Sequence, residues 1–138
     1  MVDRDVILRR TQEIERHLQR LSPYGGLPAE QFLADPVAQD VVEYNLFQIV
    51  NHLIDMLQHI VVDEGYGAPE SAYEALELLA EKGVFGTNEV QLFRKMVGFR
   101  NVVGHDYISI DKKVVHLILT TGLDDIRRLV SRITARFL

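Results

Sequence analysis

The chain contains no cysteine, which excludes disulfides and thiolate chemistry, whether as nucleophile or as metal ligand. It therefore has no need of an oxidising compartment. No apolar run approaches the ~20 residues of a membrane-spanning helix. The first ten residues hold Asp3, Arg4, Asp5, Arg9 and Arg10 where a secretory signal would need an apolar stretch. A cytoplasmic protein with no membrane association is expected. Positive charge is also in deficit, with a formal net charge of -5 at pH 7. That balance argues against a broad nucleic-acid-binding surface, which would normally be basic, but leaves room for a local basic site. There is no glycine-rich phosphate loop, nucleophile elbow, internal repeat or useful strand-like alternation.

What is present fits one globular domain spanning 1–138. The 138 residues are 47 % hydrophobic and 25 % charged, enough to bury a real core and too apolar for extended disorder. The apolar periodicity is helical throughout. Ile7, Ile14, Leu18 and Leu21 define one face of a first helix from about Asp3, an N-cap, to Leu21. The run from Ser22 to Gly26 stops it, and a short helical turn around 29–34 follows. Asp35-Pro36 reads as an N-cap with proline at the first helical position, opening a long helix to about Asp63. That helix carries two apolar faces. One runs through Val37, Val41, Tyr44, Phe47, Val50, Ile54, Leu57 and Val61, the other through Leu46, Ile49, Leu53, Met56 and Ile60. Such a helix is packed on two sides, inside a bundle or at a subunit interface.

Ser71 with Glu74 has the form of a capping box, starting a helix that Gly83 closes. Asn88 with Gln91 repeats the device and opens a further helix with Leu92, Phe93, Met96, Phe99 and Val103 on its core face. Gly104 is placed to end it. Asp111 is the next N-cap, and Val115, Ile118, Gly122, Ile126, Leu129, Ile133 and Phe137 keep one register to the C-terminus. One helix tolerating Gly122 with a bend is expected. The fold class predicted is all-α, an up-and-down helical bundle with one or two short additional helices.

Chemistry concentrates between Arg100 and Tyr107. Arg100 falls in the last turn of its helix, and release of the chain at Gly104 would let Arg100 and His105 converge. A continuous helix would not arrange that as readily at this spacing. Asn101 and Asp106 add hydrogen-bonding groups, and an extended stretch over Asp106–Ile108 would put His105 and Tyr107 on the same side. An arginine fork matches two phosphate oxygens, and a histidine can donate or accept a proton near neutral pH. These parts suffice for RNA cleavage without a metal. A base deprotonates the ribose 2′-hydroxyl, which attacks the adjacent phosphorus. The arginine stabilises charge on the equatorial oxygens, and an acid assists the departing 5′-oxygen. The same run could instead cap helix carbonyls and complement the helix dipole.

The segment Arg100-Asn101-Val102-Val103-Gly104-His105-Asp106-Tyr107 resembles the Arg-x4-His-x-Tyr signature of HepT-type toxins in the HEPN class. The likeness extends through Leu79–Phe85, Phe93–Phe99, Ile110-Asp111 and the helix that follows, and covers nearly the whole chain. It implies a HEPN-like homodimer with two motif copies facing each other across a composite ribonuclease site. It also implies an endoribonuclease toxin that cuts RNA without a cofactor. Its partner would be a minimal nucleotidyltransferase antitoxin that transfers AMP to Tyr107. On this resemblance Arg100 binds phosphate, His105 is the acid–base residue, Asn101 helps orient them, and Tyr107 is the regulatory acceptor. Bulky anionic AMP there would block RNA sterically and by charge. The alternative is a non-catalytic binding module that serves as partner or substrate-presenting subunit of a nucleotidyltransferase. A purely structural dimerising bundle is the third reading.

Two other patterns stand out. Gln48, His52, Asp55 and His59 form a polar stripe on the long helix, with spacing compatible with metal ligands. No second helix offers an obvious partner cluster, so a solvated, subunit-facing or site-lining face is expected and a metal is not. Asn51 and Asp55 could reach Arg100 and His105 if that helix packs beside them. Arg127, Arg128, Arg132 and Arg136 load the last helix with positive charge, read as a solvated helix end ahead of a contact for RNA phosphate or for an acidic antitoxin face. His17 and His116 are read as surface or boundary residues.

Overall fold

Side chains at the helix ends account for where this chain enters and leaves helical geometry. The computed structural model describes residues 1–106 and 110–138. Asp3 accepts from the amides of Asp5 and Val6 and opens α1 (Arg4–Leu21). A 3-10 turn, Ser22–Tyr24, and the short α2 (Ala29–Leu33) follow. Asp35 accepts from the Ala38 amide, with Pro36 next, and opens the 28-residue α3 (Pro36–Asp63). Ser71 accepts from the Glu74 amide and opens α4 (Ala72–Glu81). Each such cap contributes about 1 kcal/mol by satisfying an amide that has no partner within its helix.

α3 and α4 end alike. Gly65 and Gly83 both sit at φ 72°, the left-handed region that favours glycine. Around them the Tyr66 amide bonds the Val61 carbonyl and the Val84 amide bonds the Leu79 carbonyl, closing two Schellman motifs. α5 (Thr87–Asp106) begins two residues earlier than a cap at Asn88 suggested. Glu89, not Gln91, reaches back to take the Gly86 amide at 2.9 Å.

The register of the last segment is kept through a local change of pitch. α6 (Lys112–Leu117), capped by Asp111, passes into a π-helical turn, Ile118–Gly122, and then into α7 (Leu123–Phe137). Thr120 and Thr121 hydroxyls donate to the His116 and Leu117 carbonyls at 3.0 and 2.7 Å, satisfying oxygens that the widened turn releases.

α3 is the central helix. Ile49, Leu53, Met56 and Ile60 are completely buried, and Val50, Ile54, Leu57 and Val61 nearly so. Its N-terminal part departs from the expected seam: Val37 and Tyr44 are 70 % and 53 % exposed. α1 runs antiparallel to α3, since Arg10 meets Asp55 and His17 meets Asn45. α5 is antiparallel to it on the other side, with Arg100 opposite Asn51 and Gly104 opposite Phe47. Lys112 ties α6 to α3 through Glu43, a 3 % exposed carboxylate that requires such a partner, at 2.5 Å. The long helices thus alternate in direction, with α2 and α4 as the short additions, and no strand is present among the described residues. No helix is long and apolar enough to cross a membrane.

Candidate functional site

The site grows out of the second half of α5. Phe93, Val97 and Phe99 anchor this helix in the core, which turns Arg100 and Asn101 toward a half-buried edge beside α3. Arg100 Nε donates to Asn101 Oδ1 at 2.9 Å, and its NH1 donates to Asn51 Oδ1 at 3.4 Å. The guanidinium is therefore aimed by two neutral amide oxygens. Among the described residues no carboxylate pairs with it, so its charge remains available to an anion.

Gly104 does not end the helix. α5 continues through it to Asp106, and the expectation of a release before His105 is corrected. A Cβ built there would meet the Phe47 ring at an ordinary contact distance of 3.5 Å, so neither the backbone nor the packing of α5 on α3 demands glycine at this position. In a continuous helix, residues five apart differ by about 140° around the axis and about 7.5 Å along it. Arg100 and His105 of one chain consequently diverge, and the convergence expected from a broken helix is not formed. His105 is exposed in the last turn of α5. The expected extended geometry fails at Asp106, which is helical. Tyr107 lies outside the described residues.

Of the two α3 residues expected near Arg100, Asn51 reaches it and Asp55 does not. Asp55 instead pairs with Arg10 at 2.5 Å on the α1 side. His52 faces the same way, its Nδ1 3.2 Å from Arg10 NH1. Burial, then the Arg10 charge and His17, hold the His52 imidazole below its ordinary pKa. His59 lines a polar hollow with Arg9, Arg10 and Glu13. The stripe is thus an interhelical face, and α1 is the second helix that sequence reading did not find. His17, read as surface or boundary, is only 4 % exposed and bonds Asn45 at 2.8 Å. Its position three residues after Ile14 and one before Leu18 was the available signal, because it puts His17 on the buried face of α1. His116 is half-buried, its Nε2–H donating to the Leu27 carbonyl at 2.7 Å.

The arginines of α7 all have partners within the chain. Arg127 and Arg128 pair with Asp124 and Asp125 one turn back. Arg132 bonds the Val84 carbonyl at 3.3 Å beside Glu89, and Arg136 lies over the Phe137 ring. The contacts of Arg127, Arg128 and Arg136 are short-range surface pairings, whereas Arg132 reaches across to the residues that lead into α5.

An all-helical bundle of this kind is the architecture of HEPN toxins. The chain belongs to the HepT-like ribonuclease family, whose model matches residues 14–133. It is 29 % identical over 131 residues to the mRNA nuclease HepT of Shewanella oneidensis, covering 95 % of this chain and 98 % of that one. It superposes with a TM-score of 0.87 on the tri-AMPylated Shewanella oneidensis HEPN toxin in complex with MNT antitoxin, at 29 % identity and the same coverage of both chains. A crystal structure of a toxin–antitoxin pair with AMP-PNP is equally similar, with a TM-score of 0.87 at 28 % identity, over 95 % of this chain and 98 % of that one.

Proposed function

We propose that this chain is the toxin of a toxin–antitoxin pair, an endoribonuclease that cleaves RNA without a metal ion and is silenced by AMP transfer to Tyr107. The observation that carries the reading is Arg100, aimed by Asn51 and Asn101 and paired with no carboxylate among the described residues. Such a guanidinium can grip a phosphodiester with both arms and stabilise charge on its equatorial oxygens. Asn101 is a positioning residue, because it acts through the guanidinium. His105, exposed at the end of the same helix, is the proton-transfer group. It takes the 2′-hydroxyl proton as that oxygen attacks phosphorus, and an imidazolium delivers a proton to the departing 5′-oxygen.

The divergence of Arg100 and His105 along α5 supports a homodimer. Two copies facing each other bring two arginines and two histidines to one cleft, so that each phosphate meets groups from both chains. That pooling of charge also answers the net charge of -5, which offers little elsewhere on the molecule for RNA. The partner is a minimal nucleotidyltransferase antitoxin, and an adenylate on Tyr107 would place a bulky anion next to the motif.

A non-catalytic module is the second reading, and the same divergence favours it. A single chain could hold a phosphate with Arg100 but, among the described residues, sets no acid–base group beside it. Purified protein with a bare Tyr107, incubated with total RNA in excess EDTA beside His105→Ala, separates the two. Cleavage by the parent alone, leaving 2′,3′-cyclic phosphate ends, is the expected result. No cleavage by either would move the assignment to the binding module.

A further inference from the structure

On the α1 side of α3, three side chains converge that the ribonuclease reading does not use. Glu13 and His17 are four residues apart on α1, hence on one face and one turn apart. His52 comes from the antiparallel α3. One ligand-type atom from each of the three lies within 4.8 Å of the other two. The rings of His17 and His52 are 5.8 Å apart between centroids.

His17 is oriented as a ligand would be. Asn45 Nδ2 donates to the Val41 carbonyl at 2.7 Å, which leaves its Oδ1 to face His17 Nδ1 at 2.8 Å. An oxygen acceptor there fixes the proton on Nδ1 and frees the lone pair of Nε2. A carbonyl oxygen holding the rear nitrogen is the usual support of a metal-binding histidine. The surrounding charges are nearly balanced. Asp55 lies 2.5 Å from Arg10, and its Oδ2 receives no aligned hydrogen bond among the described residues. Glu13 holds Arg16 in an exposed pair at 2.5 Å through one oxygen.

We infer that Glu13, His17 and His52 form a binding site for a divalent cation of the zinc class, clipping α1 to α3 through two imidazoles and one carboxylate. Two nitrogens and a carboxylate oxygen suit a borderline transition cation better than magnesium or calcium, which prefer all-oxygen sets. A helical i, i+4 pair with a third ligand from a facing helix leaves the fourth tetrahedral position to water. Arg10 is the competitor. On cation binding its guanidinium gives up the 3.2 Å contact with His52 and stays on Asp55.

The test uses the tag-free full chain, stripped with chelator, then titrated with Zn²⁺ by calorimetry and with Co²⁺ by visible absorption. About one equivalent per chain, the d–d bands of four-coordinate cobalt and a raised Tm are expected. Glu13→Gln and His52→Gln should each weaken binding about tenfold or more, while Arg10→Met should strengthen it. Circular dichroism checks that the variants are folded. Should His52→Gln unfold, Glu13→Gln decides alone, since Glu13 is half-buried at the surface. No saturable binding, or parental affinity in folded variants of Glu13 and His52, overturns the site.

Discussion

Asn51 Oδ1 accepts from Arg100 NH1 at 3.4 Å, so the central helix aims the arginine of the motif without neutralising it. The choice of amide over carboxylate at this position can be tested directly. Asn51→Asp would spend the Arg100 charge on an internal ion pair and should lower RNA cleavage about tenfold, about 1.4 kcal/mol in the transition state. Asn51→Ala, which only loosens the guanidinium, should lose less. Cleavage rates of the two variants side by side give the answer, and an Asn51→Asp protein as active as the parent would contradict the role given to Arg100.

Arg100→Lys keeps the charge but not the fork. A lysine cannot bond two phosphate oxygens in one plane, nor be aimed by Asn101 and Asn51 together. A loss of about 100-fold in cleavage is expected with the melting temperature nearly unchanged. Retention of most activity in single-turnover assays would mean that Arg100 acts only as a point charge.

Tyr107→Phe should leave cleavage largely intact, because the hydroxyl has no part in the proton transfers assigned to His105. The same variant should escape neutralisation when the nucleotidyltransferase partner is co-expressed with it. Growth arrest despite the partner, together with no adenylate adduct by mass spectrometry, is the expected outcome. Full silencing of the variant would remove Tyr107 as the acceptor.

Two glycines should respond oppositely to the same change. Gly104 is helical, and an added methyl would meet only ordinary contact with Phe47 at 3.5 Å. Gly104→Ala should therefore stabilise the fold by up to about 1 kcal/mol, the helix-propensity difference. Gly83 holds φ 72° at the end of α4, and Gly83→Ala should cost about 1 kcal/mol or more. Urea unfolding of both variants measures this. Destabilisation by Gly104→Ala would mean that α5 does end there.

Most of the fold was legible in the sequence because caps and apolar periodicity are local signals. Asp3, Asp35, Ser71 and Asp111 each announce a helix that the structure contains. Gly104 misled because a glycine looks the same in sequence whether it ends a helix or lies inside one, and what carries α5 on to Asp106 is its packing along the whole bundle. His17 was missed because Asn45 and His52 become its neighbours only when α1 folds back along α3. Within the site, Arg100 and His105 were found by chemical type and by resemblance, and their relative orientation was the part that depended on tertiary structure. The exposed Tyr44 shows the reverse error: it shares the expected seam but lies on the side of α3 left to solvent, while Ala38, Val42 and Asn45 on the other sides are buried.

The unbroken helix through Gly104 has a consequence for dose. If the proposed active site is completed only by two facing copies, a lone chain would be inert, and activity would rise with the square of concentration until dimers dominate. A few molecules escaping their antitoxin would then do little harm, and a modest surplus would act as a threshold. Growth control by such a protein would be set by abundance crossing the dimer dissociation constant, more than by the speed of any single active site.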